Sequence, residues 1–104
     1  MAMGKPVVAT NYGGNTEFVK EGIAFPVNYK LVKPRDIDMG VYSCVDEWAE
    51  PDTEQAAYYL EKLYCDRNLR RSIAVKSTEF IKDYFSAENF RNDIDFMLKR
   101  INRI

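Results

Sequence analysis

The residues best suited to touch a ligand lie near the amino end of this 104-residue chain, in Gly13-Gly14-Asn15-Thr16-Glu17. A glycine pair lets backbone amides approach a bound group with no Cβ in the way, and a helix starting near Asn15 would aim its positive end at an anion. The Glu17 carboxylate can accept a hydrogen bond from a ligand hydroxyl. The same residues have a plainer use: glycines after a strand make a turn, Asn15 or Thr16 caps a helix, and an acid in the first turn suits the dipole. Both readings stand at this level, and all five residues are candidates for a binding site.

Other chemistry is thin. The chain has no histidine, which removes Ser-His-Asp and Cys-His nucleophile systems from this segment. Cys44 and Cys65 are far apart, without a CxxC spacing, so they suggest neither a metal site nor a disulfide framework and read as reduced thiols of a cytoplasmic protein. The carboxylate pairs Asp36 and Asp38, and Asp93 and Asp95, have no apolar pocket in the sequence to raise a pKa, which leaves them solvated rather than catalytic. Trp48 and Tyr42 could stack on a sugar or a base, although a lone Trp beside a helix start also packs as a lid on a core. The basic tail Lys99-Arg100-Ile101-Asn102-Arg103-Ile104 is accounted for by cations at a helix carboxyl end. With 15 basic and 16 acidic side chains scattered along the chain, nucleic acid and anionic membranes are not expected partners. No run approaches the roughly 20 apolar residues that span a bilayer.

The elements that must hold these residues follow from local pattern. Residues 6–10, Pro-Val-Val-Ala-Thr, suit a strand buried on both faces, the glycine loop follows, and a short helix of about two turns runs from Asn15 toward Gly22. Residues 23–27, Ile-Ala-Phe-Pro-Val, form a second strand whose Pro26 places it at an edge or a strand end. Residues 28–51 lose their period and read as an irregular loop with room for a small hairpin. From Asp52 onward the pattern is helical. Asp52 and Gln55 resemble a capping box before a face of Ala56, Ala57, Leu60, Leu63 and Tyr64. A second helix starts at Asn68 with Ile73, Ser77, Phe80, Ile81 and Tyr84 on one face. Ser86 caps a third, with Phe90, Ile94, Met97, Leu98 and Ile101 at helical spacing. Two short parallel strands and three helices cannot balance an α/β layer structure, so further strands are expected from residues preceding Met1 or from another chain.

The stretch Gly4-Lys5-Pro6-Val7-Val8-Ala9-Thr10-Asn11-Tyr12-Gly13-Gly14-Asn15-Thr16-Glu17 resembles the Gly-Lys-Pro-Val-Val-Ala-Thr-x-x-Gly-Gly-x-x-Glu segment of retaining GT-B glycosyltransferases of family 4. The likeness continues through Phe25 to Val27, Trp48-Ala-Glu-Pro-Asp52, Leu63 to Arg71, and Tyr84-Phe-Ser-Ala-Glu-Asn-Phe90, nearly the whole chain. It implies an α/β fold, the C-terminal part of a Rossmann-like nucleotide-sugar-binding domain. The implied function of the parent protein is transfer of a sugar from a nucleotide-diphosphate donor to an acceptor hydroxyl, in polysaccharide or glycolipid assembly, with the donor as substrate and no cofactor. Family members carry two donor-contacting glutamates seven residues apart just before this stretch. Met1 then corresponds to an internal methionine, and the acceptor-binding domain and the cations that hold the diphosphate lie upstream.

On that resemblance Gly13, Gly14, Asn15, Thr16 and Glu17 become candidate donor-binding residues, no catalytic residue lies within the chain, and residues 1–104 alone are expected to be inactive. The expected partners are the missing N-terminal domain or a second copy. A reading from another class is a non-catalytic binding or assembly module that covers its open sheet edge by docking or self-association.

Overall fold

The computed structural model describes residues 1–33 and 47–102. Asp36, Asp38, Tyr42, Cys44, Arg103 and Ile104, with most of the expected irregular loop, lie outside the described residues. The fold is mixed α/β: a parallel strand pair, an antiparallel strand pair and three helices in succession.

Strand β1 spans Val8–Thr10 and β2 spans Phe25–Val27, in parallel register Val8 to Phe25, Ala9 to Pro26 and Thr10 to Val27. Phe25 N donates to Val7 O at 2.9 Å and Asn11 N donates to Val27 O at 2.8 Å. Backbone groups alternate sides along a strand, so Phe25 and Val27 face β1, and the ring nitrogen of Pro26 faces outward. That outer side of β2 lacks a donor, which makes it a natural sheet edge. The opposite side differs. Val8 and Thr10 turn their backbone groups away from β2, and among the described residues no strand pairs with that side of β1. Instead of lying buried on both faces as its β-branched run suggests, β1 is only half-buried.

The short helix expected after the glycines is a single 3-10 turn, Gly14–Glu17, with Gly13 at its cap position. The reason lies in the side chains that were to cap it. Asn15 Nδ2 donates back to Thr10 O at 2.9 Å and Thr16 Oγ1 donates back to Gly13 O at 2.8 Å. Both are spent on preceding carbonyls, which favours a turn over helix propagation.

Part of the expected loop is a second strand pair. β3, Tyr29–Val32, and β4, Trp48–Pro51, run antiparallel with Tyr29 opposite Pro51 and Val32 opposite Trp48. Among the described residues this antiparallel pair joins the two expected parallel strands, in the stretch where the sequence left room for a small hairpin. Trp48 sits half-buried in β4.

Helix α1, Thr53–Cys65, starts where its cap predicts: Asp52 accepts from Gln55 N at 3.0 Å. The Gln55 side chain does not close a capping box. Its Oε1 accepts from Asn28 N at 2.6 Å while Asp52 N donates to Asn28 O at 2.8 Å, so the chain after β2 is clamped to the start of α1. The inward face of α1 is also rotated from expectation. Leu63 is buried and Tyr59 packs on Phe25 with ring centroids 5.2 Å apart, whereas Leu60 and Tyr64 are exposed. Helix α2, Arg67–Tyr84, is capped by Asp66 through Leu69 N rather than starting at Asn68. Helix α3, Ala87–Ile101, is capped by Ser86 through Asn89 N, as expected.

The core is small. Among the described residues its buried apolar members are Val19, Ala24, Val27, Leu63 and Ile73, with Ser77 beside them, its hydroxyl donating to Ala74 O at 3.1 Å. The accessible surface is 8567 Å², against about 6,000 Å² for a compact monomer of this mass. The radius of gyration is 18.0 Å, against about 13 Å for a compact domain of this length. No helix among the described residues is long and apolar enough to cross a membrane.

Candidate functional site

The loop 11–17 leaves the carboxyl end of β1, beside the carboxyl end of β2. In open parallel sheets that end is where loops form ligand crevices. Its geometry starts from Gly13, whose φ of 81° and ψ of −159° fall in a region that ordinary residues avoid. A Cβ at Gly13 or Gly14 would meet nothing within 4 Å, so both glycines face open space. Gly14 has no positive φ. The two glycines thus do different things: the turn requires Gly13, and no neighbour or backbone angle in this chain requires Gly14.

Asn15 lies partly buried with Nδ2 on Thr10 O, which fixes the orientation of the amide. Its Oδ1 is buried, and among the described residues no donor reaches it. An orphaned acceptor of this kind costs about 1–3 kcal/mol. Thr10 O, which holds the Asn15 amide, belongs to the side of β1 away from β2. Thr16 is exposed and occupied with Gly13 O. Glu17 is exposed at the end of the turn, and its Oε2 accepts a long hydrogen bond, 3.5 Å, from the Tyr84 hydroxyl of α2. Tyr84 is exposed, yet some desolvation of its hydroxyl, and then the charge and hydrogen bond of Glu17, raise its pKa above the ordinary phenol value.

The structure brings the five residues together as one loop but not as a helix terminus. A four-residue 3-10 turn has no macrodipole to speak of, and the loop carries an acid and no cation. Its groups suit neutral hydroxyls better than phosphate.

Sequence pattern missed a neighbouring depression of about 420 Å³ between β3, β4 and the start of α1, lined in part by Asn28, Lys30, Glu50, Asp52 and Glu54. Tyr29, which also lines it, meets Tyr12 of the glycine loop edge to face, with ring centroids 5.0 Å apart. Three carboxylates against one Lys make this rim repel an anion. No local signal could have located it, since it depends on pairing between β3 and β4 across distant positions. Asp93, Asp95, Lys99 and Arg100 are exposed on α3, and Cys65 is an exposed free thiol. Among the described residues no group of three or more His, Cys, Asp or Glu is placed to hold a metal.

No protein-family model, curated protein or solved structure matches the chain.

Proposed function

We propose that these residues form the C-terminal part of a retaining GT-B glycosyltransferase of family 4, a Rossmann-like unit in which loop 11–17 borders a nucleotide-sugar donor. The observation that carries this reading is the asymmetry of the parallel pair. Pro26 closes the outer side of β2, while among the described residues no strand pairs with the outer side of β1, where Thr10 O is taken by Tyr12 N and Asn15 Nδ2 and the Val8 backbone groups and Thr10 N face outward. Such an edge is a template for another strand, and parallel sheets occur almost only as larger, doubly covered layers.

In this role the loop supplies hydroxyl recognition. Gly14 leaves room for the donor to lie against the backbone, and Glu17 accepts from a sugar or ribose hydroxyl after exchanging its long contact with Tyr84. Transfer requires stabilisation of a departing diphosphate and a cationic sugar by preorganised charge. Loop 11–17 holds no cation, and the acidic rim near Glu50 opposes an anion, so that stabilisation comes from residues outside these elements. Residues 1–104 alone are then inactive.

The test is the reading frame and its product. An in-frame extension encoding two glutamates seven residues apart before Met1, in a protein that transfers sugar from UDP- or GDP-linked donors, supports the proposal. A folded product of the complete frame that binds no such donor overturns it. The non-catalytic assembly reading is favoured by a different observation, the uncovered apolar stripe of α3.

A further inference from the structure

Helix α3 is 15 residues long, about 22 Å. Its capping turn ties it to the end of α2, with Ser86 N on Asp83 O and Asn89 Nδ2 on Asp83 O at 2.7 Å. Beyond that turn its apolar side chains stand in solvent: Phe90 is 67% exposed, Ile94 40%, Phe96 62%, Met97 61%, Leu98 51% and Ile101 63%. Helices of this length are marginal in water without a packed face. Of these side chains, Phe90, Ile94, Met97 and Ile101 are spaced in steps of four, three and four, the seam spacing of a two-helix coiled coil, while Phe96 lies off the seam with the Arg100 guanidinium over its ring.

We infer that α3 pairs with α3 of a second copy, antiparallel, with Phe90 against the partner's Ile101 and Ile94 against the partner's Met97. Charge selects this occupant and this direction. One flank of the seam carries Asp93 and Arg100, one heptad apart. In an antiparallel pair equivalent flanks face each other, so each Asp93 meets Arg100 of the other copy, and the two ion pairs are related by the twofold axis. The other flank carries Arg91 and Leu98, and its long Arg stem covers Leu98 of the other copy. In a parallel pair Asp93 would face Leu98 and both cations would lose their partners. The inference does not rest on the glycosyltransfer reading.

The experiment is the oligomeric state of the full 104-residue chain, with Cys44 and Cys65 replaced by Ser, measured by sedimentation across concentration. A dimer is expected. Ile94→Asp should weaken it about a hundredfold or more, since both copies lose a buried side chain. Asp93→Arg and Arg100→Asp should each weaken it, and the double exchange should restore it, which a merely structural role of either residue does not predict. For direction, Ile94→Cys mixed with Met97→Cys should cross-link as a heterodimer under oxidation. Ile94→Cys linking mainly to itself means a parallel pair and overturns the inference. So does a chain that stays monomeric, or a dimer whose mass ignores Ile94→Asp while circular dichroism shows α3 intact.

Discussion

Replacing Gly13 and Gly14 separately by Ala isolates what each glycine does. At Gly13 the obstacle is the backbone alone, because φ is 81° and a Cβ would meet nothing. A non-glycine residue forced into this region costs about 1–3 kcal/mol. In a domain of this size each kcal/mol lowers Tm by about 4–8 °C, so Gly13→Ala should be plainly visible in a thermal or urea melt. Gly14 has neither a positive φ nor a neighbour within 4 Å, and Gly14→Ala should stay within about 0.5 kcal/mol of the wild type. The same pair separates folding from binding. If the open space before Gly14 holds the donor, Gly14→Ala weakens donor binding in the complete protein with the melt unchanged. A neutral Gly13→Ala, or a Gly14→Ala that loses more than about 1 kcal/mol, would refute this assignment of the turn.

Val27 is 2% exposed at the centre of the small core, and Val27→Ala should cost about 1–3 kcal/mol in a urea melt. Asp52→Ala removes the α1 cap and Gln55→Ala frees the Asn28 amide; each should cost about 1 kcal/mol. The Tyr84 hydroxyl titrates above an ordinary phenol, so the folded state holds its proton longer than the unfolded state. Its stabilising share is therefore complete below the unfolded pKa of about 10 and is lost as pH rises through the higher folded value. Melts in that alkaline window should fall less steeply for Tyr84→Phe than for the wild type, and equal slopes would contradict a raised Tyr84 hydroxyl.

The helices were legible because their signals are local. Asp52 and Ser86 announce their own caps, and α2 was misplaced only because Asp66 and Asn68 are both suitable and Asp66 reaches Leu69 N. The turn at Gly14 was mistaken for a helix because a cap residue's side chain can bond backward as well as forward. The sequence does not show that Asn15 and Thr16 serve Thr10 O and Gly13 O. For β3 and β4 the sequence offers only an irregular loop with room for a small hairpin, because neither strand alternates cleanly and their pairing is long-range. The face of α1 was blurred by Leu60 and Tyr64, apolar residues that this chain leaves uncovered. In the candidate site the five loop residues were found together, while the orphaned Asn15 Oδ1 and the Tyr12 to Tyr29 contact exist only in three dimensions.

The central claim is best tested by sugar transfer, assayed on the product of the complete reading frame that encodes these residues, with UDP- and GDP-linked hexoses as donors. Transfer with retained anomeric configuration is expected, together with a donor KM raised several-fold by Gly14→Ala at unchanged Tm. A folded product that neither binds nor transfers from any of these donors would contradict the glycosyltransferase proposal, and an unchanged KM in Gly14→Ala would remove the glycine loop from the site.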